Sequence, residues 1–167
     1  NRYDAALALA VARTLKISDG ISRHAFQSFM GVPGRLELIG EKNSVKIYND
    51  TTSTTPEATL AALAALDPAR TIIIVGGTDK NLDIDALVGK LKEVKRVVLL
   101  AGSGTDRIKG EFPDAPVHNT LVPAVADAFE HAEAGDIILF SPAFTSFGMF
   151  KNEFDRGDQF DALVKKL

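Results

Sequence analysis

No cysteine occurs among the 167 residues. A disulfide framework, a thiolate nucleophile and a thiolate metal site are therefore excluded, and the absence fits a reducing compartment. Histidine is scarce, and His24, His118 and His131 fall in different predicted elements without ligand spacing, so the sequence offers no histidine metal site. His131, near a predicted helix end, reads more simply as compensation of the helix dipole. There is no basic excess: the formal net charge is -3, which argues against a nucleic-acid surface. No apolar run approaches the ~20 residues that span a bilayer, and no signal peptide is visible. Walker A spacing and a nucleophile elbow around Ser141 or Ser146 are also missing.

What remains is an ordinary globular composition, 46% hydrophobic and 25% charged, long enough for one packed domain with an appendage. The chain opens at Asn1, directly in a helical pattern and without methionine, as a fragment or processed chain would. An Ala/Leu-rich helix is expected over 3–15 and a shorter one over 21–29, a pair too small to bury a core alone. Gly31-Val32-Pro33-Gly34 reads as a hinge. Period-two alternation at Leu36, Leu38, Val45 and Ile47 around a polar turn at 41–44 predicts a β-hairpin. Helices over 56–66, 84–91, 105–109, 122–131 and 156–166 then alternate with strands over 71–75, 96–100, near 117 and over 136–140. Pro56 suits the first helix start. This alternation predicts right-handed crossovers and a Rossmann-like, mostly parallel sheet flanked by helices, with the antiparallel hairpin at its front. The boundaries expected are 1–30 for the helical pair and 31–167 for the α/β domain.

In such a sheet, ligands bind at the carboxyl ends of the strands. The longest loop there, over 141–160, mixes a Ser-Pro turn, Thr145, Ser146, aromatics and Lys151-Asn152-Glu153, more than a connector needs. A second loop carries five hydroxyls, Thr51 to Thr55, before the helix at Pro56. That is an anion site if helix N–H groups face a ligand, or a capping segment if they do not; five hydroxyls exceed what capping requires. Asp50 either binds a ribose diol or supports the turn. A third loop, Gly76-Gly77-Thr78-Asp79-Lys80, either brings backbone and a cation to a ligand or is an ordinary turn. The glycines of 101–104 read as strand-to-helix packing. Arg35, after the hinge, either reaches a phosphate or is a solvated strand start.

Taken in order, G-V-P-G-R-L-E at 31–37, N-D-T-T-S-T-T-P-E-A at 49–58, G-G-T-D-K at 76–80 and S-P-A-F-T-S-F-G-M-F-K-N-E-F-D-R-G-D-Q-F at 141–160 resemble the C-terminal domain of the Mur ligases. Within that family they look most like the members that add D-glutamate. The likeness extends over the whole chain, with residues 1–30 as the tail of the family's central ATPase domain. It implies an ATP-dependent amide ligase of peptidoglycan synthesis in the bacterial cytoplasm, a monomer joining D-glutamate to UDP-MurNAc-L-alanine through an acyl phosphate. The family's P-loop and Mg²⁺ ligands belong to the central domain, so this stretch alone is expected to be inactive.

Position by position, the resemblance assigns Lys80 and Ser146 to the D-glutamate carboxylates, with Thr54, Phe147 and Phe154 at the same site. It assigns Arg35 to the ATP phosphates, Asp50 to the ribose, and Asn1 and Asp4 to the adenine pocket. Thr52 stands where well-known members have lysine, Asp4 where an asparagine is expected. The site's aromatic aligns with Glu153, or with Phe154 after a one-residue shift. Two alternatives stand beside this reading. One is another Mur ligase or a folylpolyglutamate synthase-like domain, against which Phe150-Lys151-Asn152 and Arg156-Gly157 argue. The other is a non-catalytic nucleotide- or acid-binding module.

Overall fold

The computed structural model describes residues 2–166, with only the backbone of Arg2. Contacts divide the chain into two compact units, residues 1–32 and 33–167. The first holds α1 (Arg2–Thr14) and α2 (Asp19–Ser28). Alanine and leucine favour α1 intrinsically, and Lys16 at φ 58 ends that direction of chain. Ser18 caps α2 by accepting the Ile21 N–H. A two-pronged Arg13–Asp19 pair joins the helices at 2.9 and 2.7 Å; exposed as it is, it contributes little.

The second unit is a six-stranded sheet in the order β1-β2-β6-β3-β4-β5. Its strands are β1 (Glu37–Lys42), β2 (Val45–Asn49), β3 (Thr71–Gly76), β4 (Arg96–Leu100), β5 (Val117–His118) and β6 (Ile137–Phe140). Only β1 and β2 pair antiparallel; every other neighbour is parallel. The hairpin turn is tighter than the expected four residues. Asn43 and Ser44 alone make it, at φ 51 and 61, the two-residue geometry that matches strand twist, so β1 runs on to Lys42.

Side chains alternate across a strand, and both faces of this sheet are covered. On one face Ile47, Ile72, Ile74, Val98, Ile138 and Phe140 pack with Leu121, Ala124, Val125 and Ala128 of α6 (Leu121–Glu130) and Phe160 of α7 (Glu153–Val164). The Phe140 and Phe160 ring centroids stand 4.6 Å apart. On the other face Ile73, Val75, Val97, Leu99 and Leu139 meet α3 (Pro56–Ala64), α4 (Asp85–Leu91) and α5 (Ser103–Ile108). Burial on both sides is why β3, β4 and β6 read as continuous apolar runs. Helix α7 begins three residues earlier than the sequence suggested, because the Asn152 side chain accepts the Asp155 N–H as an N-cap.

Because β2, β3, β4, β5 and β6 are mutually parallel, the loops after them emerge at one edge. The order places β6, the last strand in sequence, between β2 and β3. The loop that follows it is thereby flanked by the loops carrying Thr54 and Lys80.

Candidate functional site

Two of these loops are fastened to each other. The Gly76 N–H donates to the Pro142 carbonyl at 2.9 Å, and Thr78 and Thr145 exchange backbone bonds at 2.9 and 3.0 Å. The Thr145 hydroxyl donates to the Thr78 carbonyl (3.0 Å) and the Thr78 hydroxyl to the Phe147 carbonyl (2.6 Å). Glycine makes this approach possible. A Cβ on Gly77, at φ +142, would stand 2.3 Å from the Thr145 carbonyl oxygen, and one on Gly102 would stand 2.2 Å from the Gly77 oxygen. The paired glycines thus bring backbone to backbone, and Gly102 and Gly104 pack against the neighbouring loops, at Gly77 and Phe144, where strand-to-helix packing was expected.

Lys80 projects from this fastened loop. Its Nζ donates to Thr54 Oγ1 at 3.1 Å, and the two residues line one recess with Asp79 and Phe144. The Asp79 carboxylate is turned onto Arg107 Nη1 at 2.8 Å, and the Asp79 N–H donates to Ser103 Oγ at 3.0 Å. Burial pushes the Asp79 carboxyl up, but its bonds from Arg107 and from backbone N–H groups outweigh that and hold it below the usual carboxylate range.

Beside the recess lies a cavity of about 330 Å³ bounded by Gly76, Gly77, Thr78, Gly102 and Asn119 on one side and Thr145 to Phe150 on the other. Ser146 is 4% exposed, whereas Phe147 is 66% exposed at the cavity rim. Phe154, 62% exposed, occupies the first turn of α7. Glu153 is half-buried there, and its carbonyl accepts the Thr51 hydroxyl at 2.8 Å.

The hydroxyl-rich loop differs from its reading as an anion site at a helix start. Thr51 is bonded to Glu153 and Arg156, Thr52 donates to the Gly34 carbonyl (2.7 Å), and Ser53 donates to Asp50 (2.5 Å). Thr55 sits at the N-cap of α3 without a side-chain bond. Thr54 is the hydroxyl of this loop that meets Lys80. Ser53 bonds locally to Asp50, while the partners of Thr51, Thr52 and Thr54 lie 18 or more residues away, so most of the excess of hydroxyls over capping needs is absorbed by tertiary bonds.

Asp50 lies inside the fold. It is 5% exposed; one carboxylate oxygen accepts the Leu36 N–H at 2.8 Å, the other the hydroxyls of Ser53 and Ser141. Burial holds its carboxyl above the usual range despite these donors. Both oxygens are engaged inside the fold, which favours the turn-supporting alternative for Asp50 over a ribose contact. Through Leu36 it braces the backbone that carries Arg35, which is itself exposed. Asp4 is exposed on α1, and Asn1 lies outside the described residues.

Arg156 was missed as a site residue. It is 1% exposed, and its guanidinium donates Nε to Thr51 Oγ1 (3.1 Å), Nη2 to the Thr51 carbonyl (2.6 Å) and Nη1 to the Phe144 carbonyl (3.1 Å). Desolvation lowers its pKa to about 10. The side chain clamps the loop bearing Thr54 to the loop bearing Ser146. One signal was available: Arg156 and Phe160 are one helical turn apart, so the apolar face of α7 must include the arginine. His118 and His131 converge on Asp127, which Arg96 also pairs at 2.9 Å. Among the described residues no three His, Asp or Glu side chains group as metal ligands.

This doubly wound α/β unit gathers a lysine, threonine and serine hydroxyls and aromatic side chains at the carboxyl edge of its sheet, where open α/β sheets bind ligands. Residues 34–144 match the family described as "Mur ligase, glutamate ligase domain", and the chain belongs to that family. Arg35, Asp50, Thr54 and Lys80 fall inside the matched stretch, while Ser146, Phe147 and Phe154 lie beyond it. Relatives named UDP-N-acetylmuramoylalanine--D-glutamate ligase include that of Aquifex aeolicus, 38% identical over 99% of this chain. That of Borreliella afzelii is 42% identical over 86% of it. The chain spans 40% and 34% of the lengths of these two relatives. Escherichia coli FolC in complex with ADP shares the fold at TM-score 0.70 and 19% identity, over 97% of this chain and 39% of its own. UDP-N-acetylmuramate-alanine ligase MurC of Thermotoga maritima does so at 0.66 and 14%, over 97% and 37%.

Proposed function

We propose that this chain is the amino-acid-receiving part of an ATP-dependent ligase that adds D-glutamate to UDP-MurNAc-L-alanine in bacterial peptidoglycan synthesis. The observation that carries the reading is the Lys80–Thr54 pair at 3.1 Å, set at the sheet edge between hydroxyl-bearing loops. The identity to D-glutamate ligases across nearly the whole chain supports it. A dicarboxylic amino acid needs a cation and neutral donors at fixed separation, since charge-assisted hydrogen bonds are about twice as strong as neutral ones. Lys80 and Thr54 receive one carboxylate in this reading, and Ser146 receives the other. Phe147, exposed at the cavity rim, and Phe154, exposed on the first turn of α7, would be covered by the ligand's carbon chain.

In the reaction this implies, ATP phosphorylates the alanine carboxylate, the D-glutamate nitrogen attacks the acyl carbon, and inorganic phosphate leaves as the amide forms. The chain's own share is to hold the amino acid by both carboxylates, leaving its amine as the free nucleophile. Arg35 is assigned to the phosphates and Asp4 to the adenine side. Asp50 is assigned a positioning role, through Leu36 and the Arg35 turn. No Mg²⁺ ligand is assigned to this chain. The first unit is read as the tail of the family's ATPase domain, and the protein as cytoplasmic and monomeric; no described helix is long and apolar enough to cross a membrane.

The test is ADP release by the full-length protein with UDP-MurNAc-L-alanine, comparing D-glutamate, L-glutamate and no amino acid. Turnover that requires the D-isomer, with Lys80→Met raising its KM by about a hundredfold, is expected. Turnover indifferent to D-glutamate would refute the assignment.

A further inference from the structure

We propose that Arg107 is the residue that keeps the Lys80 recess cationic, by neutralising the carboxylate of Asp79. The inference rests on the reading of Lys80 as a carboxylate receptor and goes on to say what sets its strength.

The sequence places an acid directly before the receptor lysine. Asp79 lines the same recess as Thr54 and Lys80, where a bare carboxylate would repel a dicarboxylate ligand and compete with it for the ammonium group. The structure removes both effects through one contact. Arg107, on α5, donates Nη1 to Asp79 Oδ1 at 2.8 Å and to the Leu82 carbonyl at 3.0 Å. Backbone N–H groups of Lys80 and Asn81 hold the same carboxylate. The Lys80 ammonium is left on a neutral partner, the Thr54 hydroxyl, and makes no ion pair among the described residues. With Arg107 the three side chains sum to one positive charge; without it they sum to zero. The Asp79 and Arg107 side chains are 20% and 33% exposed, so their charges are screened by solvent only in part.

The experiment compares Arg107→Gln, Asp79→Asn and the double variant in the full-length ligase, reading KM for D-glutamate, KM for ATP and kcat, with thermal melts as a check on folding. Glutamine keeps a donor but not the charge, and asparagine keeps the carbonyl that accepts the backbone N–H groups. Arg107→Gln should raise KM for D-glutamate roughly three- to tenfold, the size expected of one uncompensated charge near a partly solvated site, with kcat and KM for ATP within about twofold. Asp79→Asn should not raise it, and the double variant should return to the Asp79→Asn value. If Asp79→Asn raises KM as much as Arg107→Gln, the pair merely shapes the loop and the proposal is overturned. An unchanged KM in Arg107→Gln overturns it as well. Failure of the underlying site reading looks different: wild-type turnover indifferent to D-glutamate, or Lys80→Met leaving KM unchanged, sinks the receptor assignment and this proposal with it.

Discussion

Replacing Gly77 by alanine should open the fastening between the β3 and β6 loops. At φ +142 an alanine is strained whatever the space, by about 1–2 kcal/mol. Its methyl would also lie 2.3 Å from the Thr145 carbonyl oxygen, which is backbone and has no rotamer to change. Relief requires separating Thr78 from Thr145, with loss of two backbone bonds and the Thr145 hydroxyl bond, each worth about 1 kcal/mol. The combined cost is about 4 kcal/mol, or roughly 10–15 °C in Tm for a chain of this size. Gly89 supplies the control. It lies within α4, and a Cβ there meets nothing within 4 Å. Gly89→Ala should therefore stabilise, by about 0.5–1 kcal/mol, because alanine favours a helix interior. Calorimetric melts of the two variants should move in opposite directions. A Gly77→Ala protein melting within about 3 °C of wild type would show that the loops tolerate separation and would refute this role for Gly77.

Two further perturbations probe the buried polar groups. Arg156→Met would leave the Thr51 and Phe144 carbonyls without donors and should lower stability by about 3 kcal/mol in urea denaturation; Arg156→Lys should not restore it, since an ammonium cannot span three acceptors. An Arg156→Met protein as stable as wild type would refute the clamp. For Asp50 the folded-state pKa is raised, chiefly by burial. Its ionised form therefore subtracts stability at neutral pH, and that stability returns as pH falls through the raised value toward about 4. Melts of wild type and Asp50→Asn across this window should converge in wild type's favour on acidification; a difference moving the other way would contradict the assignment.

Much of the architecture was legible in the sequence because it rests on local patterns. The β-branched run 72–75 and the apolar run 97–100, the Pro56 helix start and the alternation about Asn43 each encode their element within a few residues. The start of α7 was misjudged although its cap, Asn152, lay in plain view, because polar residues 151–153 also suit a loop. Lys80 and Thr54 were paired only through family resemblance; nothing local says that residues 26 apart will meet at 3.1 Å. The partners of Thr51 and Asp50 were not legible for a related reason. Thr51 bonds Arg156 across 105 positions and Asp50 bonds Ser141 across 91, and a hydroxyl or carboxylate looks the same in sequence whether its partner is solvent, ligand or a distant strand. The glycines at 77 and 102 announced close approach, but not whether ligand or backbone would approach.

The central position of β6 bears on how the polypeptide matures. β2 and β3 are complete by residue 76, yet the edges they turn toward each other are both paired by residues 137–140. A nascent chain that has not yet released this strand from the ribosome holds two apolar strands with unpaired edges, separated by the width of the missing one. Such edges invite pairing with other chains, and parallel partners this distant in sequence close slowly. The sheet can finish only when its second-to-last element of regular structure emerges, so cooperative assembly is deferred almost to the end of synthesis of this stretch. Chaperone dependence and sensitivity to C-terminal truncation should both concentrate at the point where Ile137 to Phe140 insert.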